Sequence, residues 1–159
     1  MKKNVLREAI LRQLRDELAL QTSAAQLARD EAISDESRAQ NKWDTHSQEA
    51  AYLAEGQAKL AAEIGTSLEV YAALPLPDFG PDAVIALGAL VELDAGGRSA
   101  SYFLGPRAGG LELMLDGRDI MVLTPSSPLG RQLLGKKTGD TLQTAGRDAP
   151  AAQRIVSVV

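Results

Sequence analysis

The chain has 159 residues, of which 45% are hydrophobic, and this length suits one ordinary domain or two small elements in tandem, which argues against a multidomain enzyme. Its 17 lysines and arginines are outnumbered by 21 acidic residues, and the resulting net charge of −4 argues against a protein that coats duplex nucleic acid. The absence of cysteine excludes disulfides, thiolate metal sites and thiol catalysis.

The amino-terminal segment, MKKNVLREAILRQLRDEL, intersperses charged residues among its apolar ones. It therefore lacks the apolar core of a signal peptide. No apolar run in the chain approaches the ~20 residues that a membrane span requires. We expect a cytoplasmic protein that has no membrane partner.

Two long stretches have apolar or small residues at helical spacing. The first runs from Asn4 to Ser34, and its stripe comprises Leu6, Ile10, Leu14, Leu18, Ala25, Ala28 and Ala32. The second runs from Ser47 to Leu74, with Ala50, Leu53, Gln57, Leu60, Ile64, Leu68 and Tyr71. Because the intervening segment is short and polar, the sequence predicts an antiparallel coiled-coil hairpin over residues 1–74, with its tip at about 35–48. An ordinary pair of helices packed on a core is the alternative.

A proline-rich segment, LPLPDFGP, follows the second helix and predicts a linker at residues 75–81. Beyond it, residues 82–159 contain short apolar runs separated by turn signals. The predicted strands are 84–87, 89–93, 99–104, 111–115, 120–123, 141–144 and 154–158. Ser127 is expected to cap a short helix that has Pro128 at its first position and ends at Gly135. The predicted fold class is α+β, a helical hairpin joined to an antiparallel β domain with one short helix.

One segment carries a specific resemblance. Residues 127–140, SPLGRQLLGKKTGD, are similar to the Ser-Pro, short helix, Leu-Gly-Lys and Gly-Asp signature of the carboxy-terminal domain of bacterial Gre-type transcript-cleavage factors. Residues 89–93, 102–106 and 153–158 resemble strands of that domain. Residues 49–57, EAAYLAEGQ, resemble the start of the second helix in the Gre hairpin. The order of the parts is also that of the family.

This resemblance implies an FKBP-like fold for the carboxy-terminal domain, which docks on RNA polymerase near its secondary channel. It implies that the hairpin enters this channel toward the catalytic magnesium. In the cleavage factors, two carboxylates at the tip help to hold a second Mg²⁺ and the attacking water. RNA polymerase is therefore the expected partner, without direct binding of duplex DNA. No tightly bound cofactor is expected, and Mg²⁺ is expected only in the complex with the polymerase.

The tip departs from the pattern of the family. Cleavage factors have an Asp followed three residues later by a Glu, whereas here Asp44 is followed at that position by Ser47, and the next acid is Glu49. Asp44 and Glu49 are the candidate catalytic acids and metal ligands. Asp35 and Glu36, before the tip, are further candidates. Each acid has an alternative role as a solvated charge or as a favourable charge at a helix amino terminus.

Five residues are candidates for partner binding: Trp43, Ser127, Pro128, Lys136 and Lys137. Trp43 would otherwise pack within the tip, and the two lysines would otherwise interact with the carboxy-terminal dipole of the short helix. His46 is the only histidine, which excludes a histidine metal cluster and a Ser–His triad.

The sequence therefore predicts a regulator of transcription elongation or initiation, not itself an enzyme, that inserts its hairpin into the channel without strong stimulation of cleavage. A genuine cleavage factor that uses the tip acids with Mg²⁺ is the first alternative. A coiled-coil adaptor and an FKBP-like prolyl isomerase are the others. The isomerase is disfavoured because Phe79, Tyr102 and Phe103 are too few aromatic residues for a proline-binding pocket.

Overall fold

The computed structural model describes residues 2–38, 46–143 and 152–159. The chain divides into two compact units. The hairpin unit comprises Ile10–Ala72, and the β unit comprises Met1–Ala9 together with Ala73–Val159. The sequence-predicted boundaries, 1–74, 75–81 and 82–159, stay a prediction. Across the described ranges, none of the helices combines the length and the apolar character that crossing a membrane would require.

Two long helices, α1 (Lys3–Arg38) and α2 (His46–Ala72), confirm the two predicted helical stretches to within a few residues at their ends. Within the hairpin unit, α1 and α2 line a common depression. Ala32 of α1 and Ala54 of α2 are buried in this region. The short side chains of these alanines allow two helix backbones to approach closely.

The predicted stripe on α2 is only partly correct. Ile64 and Leu68 are half-buried and Tyr71 is buried, but Leu53 and Leu60 are exposed. Small residues of α2, including Ala51, Ala54 and Ala58, line the depression shared with α1, and the leucines lie beside them. The predicted stripe gave the buried positions to leucines because they are more apolar than alanine. Close packing of two helices instead favours the smaller side chain.

The β unit contains a six-stranded sheet and one short helix, α3 (Pro128–Leu133). Its strands are β1 (Leu90–Ala95), β2 (Arg98–Leu104), β3 (Glu112–Leu115), β4 (Arg118–Leu123), β5 (Thr141–Leu142) and β6 (Gln153–Val158), in the order β3-β4-β2-β1-β6-β5. The prediction of a purely antiparallel sheet is wrong at one pair. β2 and β4 are parallel, with Ser101 opposite Ile120. After β2 the chain first forms β3 at the edge of the sheet, and β4 then runs antiparallel to β3 in the position between β3 and β2. The sheet is therefore mixed.

The predicted strand at 84–87 is also wrong. In its place, Ile85 exchanges backbone hydrogen bonds with the segment that follows α3: Ile85 N donates to Lys136 O at 2.7 Å, and Gly135 N donates to Ile85 O at 3.0 Å. This short segment is thus paired with the end of α3 instead of with the sheet. The other predicted strands are present, although position 144 of the predicted strand 141–144 lies outside the described residues.

The core of the β unit lies between the sheet and α3. Its members share nearly complete burial and aliphatic side chains, and they include Ile85, Val91, Leu93, Leu104, Leu123, Leu133, Leu142, Ile155 and Val158. The β3–β4 connection is a tight hairpin in which both Asp116 and Gly117 have positive φ, of 50° and 73°. These are the dihedrals of a type I′ turn, in which an Asp-Gly pair is favoured. The turn signals in the sequence therefore define this hairpin, and the core holds α3 against the sheet.

Candidate functional site

The helix α3 begins with the predicted cap. Ser127 has φ of −71° and ψ of 149°, and its Oγ accepts a hydrogen bond from Gly130 N at 3.1 Å. The same hydroxyl donates to Thr124 O at 2.8 Å, so that it joins the preceding strand end to the helix. Pro128 follows at a position where a backbone N–H would have no helical partner. The Ser-Pro pair thus fixes where α3 starts.

Gly130 allows α3 to pack closely against the chain before it. A Cβ atom added at Gly130 would lie 2.0 Å from Thr124 O and 2.7 Å from Ser127 Oγ. Because the nearer atom belongs to the backbone, no rotamer change relieves the overlap. Sequence reasoning missed this requirement. The available signal was a glycine in the interior of a short helix, where it weakens the helix unless packing requires it.

The residues after α3 form a second fixed turn. Gly135 has φ of 80° and Gly139 has φ of 93°, so both adopt the left-handed conformation that glycine favours. Lys137 N donates to Asp140 Oδ2 at 2.9 Å, and Asp140 N donates to Lys137 O at 3.1 Å. The Leu-Gly-Lys and Gly-Asp parts of the motif therefore define the backbone path that presents the two lysines.

A cationic surface surrounds the end of α3, and we call it the α3 surface. It comprises Pro128, Arg131, Gln132, Leu134, Lys136 and Lys137, of which all but the half-buried Lys136 are exposed. Arg131 is oriented by two hydrogen bonds, from its Nε at 3.1 Å and its Nη2 at 2.8 Å, to Ser126 O. Arg131 and Lys136 also line an open depression of about 850 Å³. The α3 surface is thus locally basic in a chain whose net charge is −4.

The tip residues are described only in part. Trp43 and Asp44 lie outside the described residues, and Asp35 and Glu36 are placed only as helical positions of α1. Glu49 is in the first turn of α2 with an exposed side chain, and His46 is the first residue of that helix. No group of three His, Asp or Glu side chains that could hold a metal is present within residues 2–38, 46–143 and 152–159. The pairing of Asp44 with Glu49 as metal ligands stays a prediction.

Three aromatic residues bear on the isomerase alternative. Phe103 is 1% exposed and packs inside the β unit. The face of Phe79 is covered by the ammonium group of Lys3, which lies 4.7 Å from the ring centroid. The ring of Tyr102 lines an open depression on the sheet. The three rings therefore lie in three different surroundings, and the exclusion of isomerase activity stays a prediction.

Comparisons with known proteins give matches among solved structures alone. No family model matches the chain, and no curated protein matches it. The chain is similar to the GreA factor homologue Gfh1 of Thermus thermophilus, with 24% identity over 95% of each chain and a TM-score of 0.37. It is likewise similar to Thermus aquaticus Gfh1, with 24% identity over 95% of this chain and 94% of that one, at a TM-score of 0.39.

A third solved structure is the GreA/GreB transcription elongation factor of Nitrosomonas europaea, with 21% identity over 65% of this chain and 78% of that one, at a TM-score of 0.38. At these identities and TM-scores, the similarity carries no argument about the function of the chain.

Proposed function

We propose that this chain regulates transcription by binding RNA polymerase through the α3 surface, with its helical hairpin directed into the secondary channel. The observation that carries the proposal is the geometry of residues 127–140. Each part of the Gre-type motif in this segment has a structural role in the described fold, from the Ser127 cap to the Asp140 turn. A similarity in which each shared feature has a role in the same local structure is stronger support for a common function than a similarity in amino-acid composition.

The charge distribution supports docking on an acidic surface. Arg131, Lys136 and Lys137 place three cations around one short helix, whereas the whole chain is acidic. Arg131 is oriented by Ser126 O, and a side chain that is already oriented loses less entropy on binding. Such complementarity raises the association rate and suppresses wrong partners. The proposed contact on the polymerase is therefore an acidic segment.

The dimensions of the hairpin are compatible with the proposed reach. The 36 residues of α1 correspond to about 54 Å of helix, and the 27 residues of α2 to about 40 Å. Helices of this length exceed what packing in a small domain requires. We propose that the additional helix length allows the tip of the hairpin to reach a distant active centre of the polymerase.

At the tip, we propose occupancy of the channel without strong stimulation of cleavage. Mg²⁺ requires near-ideal octahedral coordination by oxygen. Glu49 supplies one exposed carboxylate from the first turn of α2. With Asp44 five residues earlier in the sequence, the spacing differs from that of the cleavage pair, so that shared coordination of one ion by both acids is disfavoured. The residues that would hold Mg²⁺ in the cleavage alternative are Asp44 and Glu49.

The first experiment measures binding of the intact chain to purified bacterial RNA polymerase. The double variant Lys136→Glu/Lys137→Glu should weaken binding by about 10-fold or more, since two attractive charges become repulsive ones. The matched control is Arg98→Glu/Arg154→Glu, which makes the same change in charge at exposed positions of the sheet. Equal weakening by both variants would assign the effect to net charge and would contradict docking through the α3 surface.

A coiled-coil adaptor is the second candidate, and exposed leucines on the hairpin unit favour it. Leu20, Leu27, Leu53 and Leu60 are large apolar side chains in contact with solvent. An adaptor would bind its partner along the helices. If the chain binds polymerase along its helices, the variant Leu27→Gln/Leu60→Gln should abolish this binding. If it docks through the α3 surface, the same variant should bind polymerase with nearly unchanged affinity.

A further inference from the structure

The first residue of α1 is a buried lysine. Lys3 is 8% exposed, although lysine is among the residues least often buried without a partner. Its Nζ donates hydrogen bonds to Pro77 O and, at 3.2 Å, to Gly88 O. The same ammonium group lies 4.7 Å from the centroid of the Phe79 ring, in the position of a cation–π contact. One side chain thus contacts three residues of the connecting segment and of the turn before β1.

Arg7 adds a second cation on the same face of α1. It follows Lys3 by four residues, which places the two side chains one above the other on a helix. Its Nη1 donates to Leu74 O at 3.2 Å. All of these groups belong to the β unit, which includes the first nine residues of the chain. The two cations therefore supply donors to carbonyl groups spread from Leu74 to Gly88.

Gly88 brings the connecting segment close to the turn before β1. Its φ is 87°, and a Cβ atom added there would lie 3.0 Å from Pro75 O and 3.3 Å from Pro77 Cδ. Gly88 N donates to Leu104 O at 2.8 Å, which anchors this turn to the end of β2. The segment around Pro75 and Pro77 therefore lies against a fixed turn. Lys3 binds one carbonyl group of the segment, that of Pro77, and one of the turn, that of Gly88.

We propose that Lys3 and Arg7 form a clamp that holds residues 74–81 against the first two turns of α1 and the turn before β1, and that this segment becomes mobile when the donors of the clamp are removed. Proline-rich segments without such contacts act as semi-rigid spacers whose ends move. Here the first two turns of α1 determine the mobility of the spacer. The clamp is a conformational device of the fold, and it does not depend on polymerase binding.

The charge state of Lys3 follows from its surroundings. Burial lowers the pKa of Lys3 below its usual value of 10.5, and the negative charge of Asp78 opposes this effect. Asp78 on the connecting segment is the charged side chain that interacts with the ammonium group of Lys3, and Arg7 is the other cation of the clamp. Between the lowered pKa of Lys3 and 10.5, this side chain binds more protons in the unfolded chain than in the folded one, so its contribution to the free energy of unfolding becomes more favourable as pH rises. A neutral amine still donates to both carbonyl groups, so the clamp remains closed.

The test is amide hydrogen exchange on the full chain, for Lys3→Met and for the control Lys2→Met. Methionine retains the apolar length of lysine and removes the donor. In Lys3→Met, protection of the Ala83 amide, which donates to Gly80 O of the clamped segment, should fall by about 10-fold, because the segment loses a charged donor at Pro77 O. Protection of Val122, whose amide donates to Leu111 O within the sheet, should stay unchanged. Lys2 is exposed, and its variant should exchange like the parent chain.

Two further measurements separate a clamp from general stabilisation. Arg7→Met should also lower the protection of the Ala83 amide, and Lys3→Met should lack the contribution of Lys3 to the pH dependence of the unfolding free energy. Equal exchange in Lys3→Met and Lys2→Met would overturn the clamp. An equal loss of protection at Val122 and at Ala83 would also overturn it, because Lys3 would then stabilise the whole unit instead of this segment.

Discussion

Gly130→Ala should destabilise the β unit by about 1–3 kcal/mol or more, the range for overpacking a site that cannot relax. The added Cβ would lie 2.0 Å from Thr124 O, so either the backbone before α3 or the helix itself must move. Movement of α3 would also displace Leu133 from the core. Thermal or denaturant unfolding of the purified variant measures this loss directly.

The matched control is Gly65→Ala in α2. Apart from its chain neighbours and the backbone of its own helix, nothing lies within 4 Å of the position that a Cβ would take at Gly65, which is in the interior of α2. Alanine there should stabilise the helix by about 0.5–1 kcal/mol. The same substitution is therefore expected to have opposite signs at the two positions. A neutral or stabilising effect of Gly130→Ala would mean that α3 is not packed as the structure describes.

Leu133→Ala should destabilise the chain by about 2–5 kcal/mol, the range for removing a large side chain from a closed core. Leu133 is fully buried and packs in the cluster that includes Ile85, Leu123 and Leu142. The loss combines the transfer free energy of the removed methyl groups with a cavity that the sheet cannot collapse to fill. Chemical denaturation with the midpoint and slope both reported is the appropriate measurement.

The neighbouring residue provides the comparison for Leu133. Leu134 is 37% exposed, so Leu134→Ala should cost about 1 kcal/mol or less. The apolar residues of α3 predict that both leucines supply its buried face, whereas the structure buries only Leu133. If the two variants lost equal stability, or if Leu133→Ala lost almost none, the position of α3 over the sheet would be incorrect.

Most of the elements could be predicted because their signals are local. A helix with one apolar stripe, an Asp-Gly hairpin at 116–117 and a Ser-Pro cap at 127–128 are each defined by residues within a few positions of one another. The segment 84–87 was not predictable in this way. Its apolar residues resemble a strand, but Ile85 pairs with residues 135 and 136, about 50 positions later in the sequence. Pairing at this distance, like the parallel register of β2 with β4, has no local signature.

The candidate site was predictable in its motif and not in its packing. The sequence predicts Ser127, Pro128, Lys136 and Lys137 as partner-binding residues, and this role stays a prediction. The sequence does not predict the close contact at Gly130 or the hydrogen bonds of Arg131. Lys3 was not identified either. A single charged residue in the first turn of a helix gives no sign that carbonyl groups more than 70 residues away will accept its hydrogen bonds.

The measurement that tests the central claim most directly is transcript cleavage in stalled, backtracked elongation complexes, with a genuine cleavage factor present and this chain added in increasing amounts. A regulator that occupies the secondary channel should reduce factor-dependent cleavage until it is nearly abolished at saturation, and the chain alone should stimulate cleavage only weakly. Asp44→Ala and Glu49→Ala should leave the affinity for polymerase nearly intact while changing the effect of the tip. Unchanged factor-dependent cleavage at concentrations where the chain is in large excess would contradict channel occupancy, and robust Mg²⁺-dependent cleavage by the chain alone, abolished by Asp44→Ala, would identify it as a cleavage factor instead.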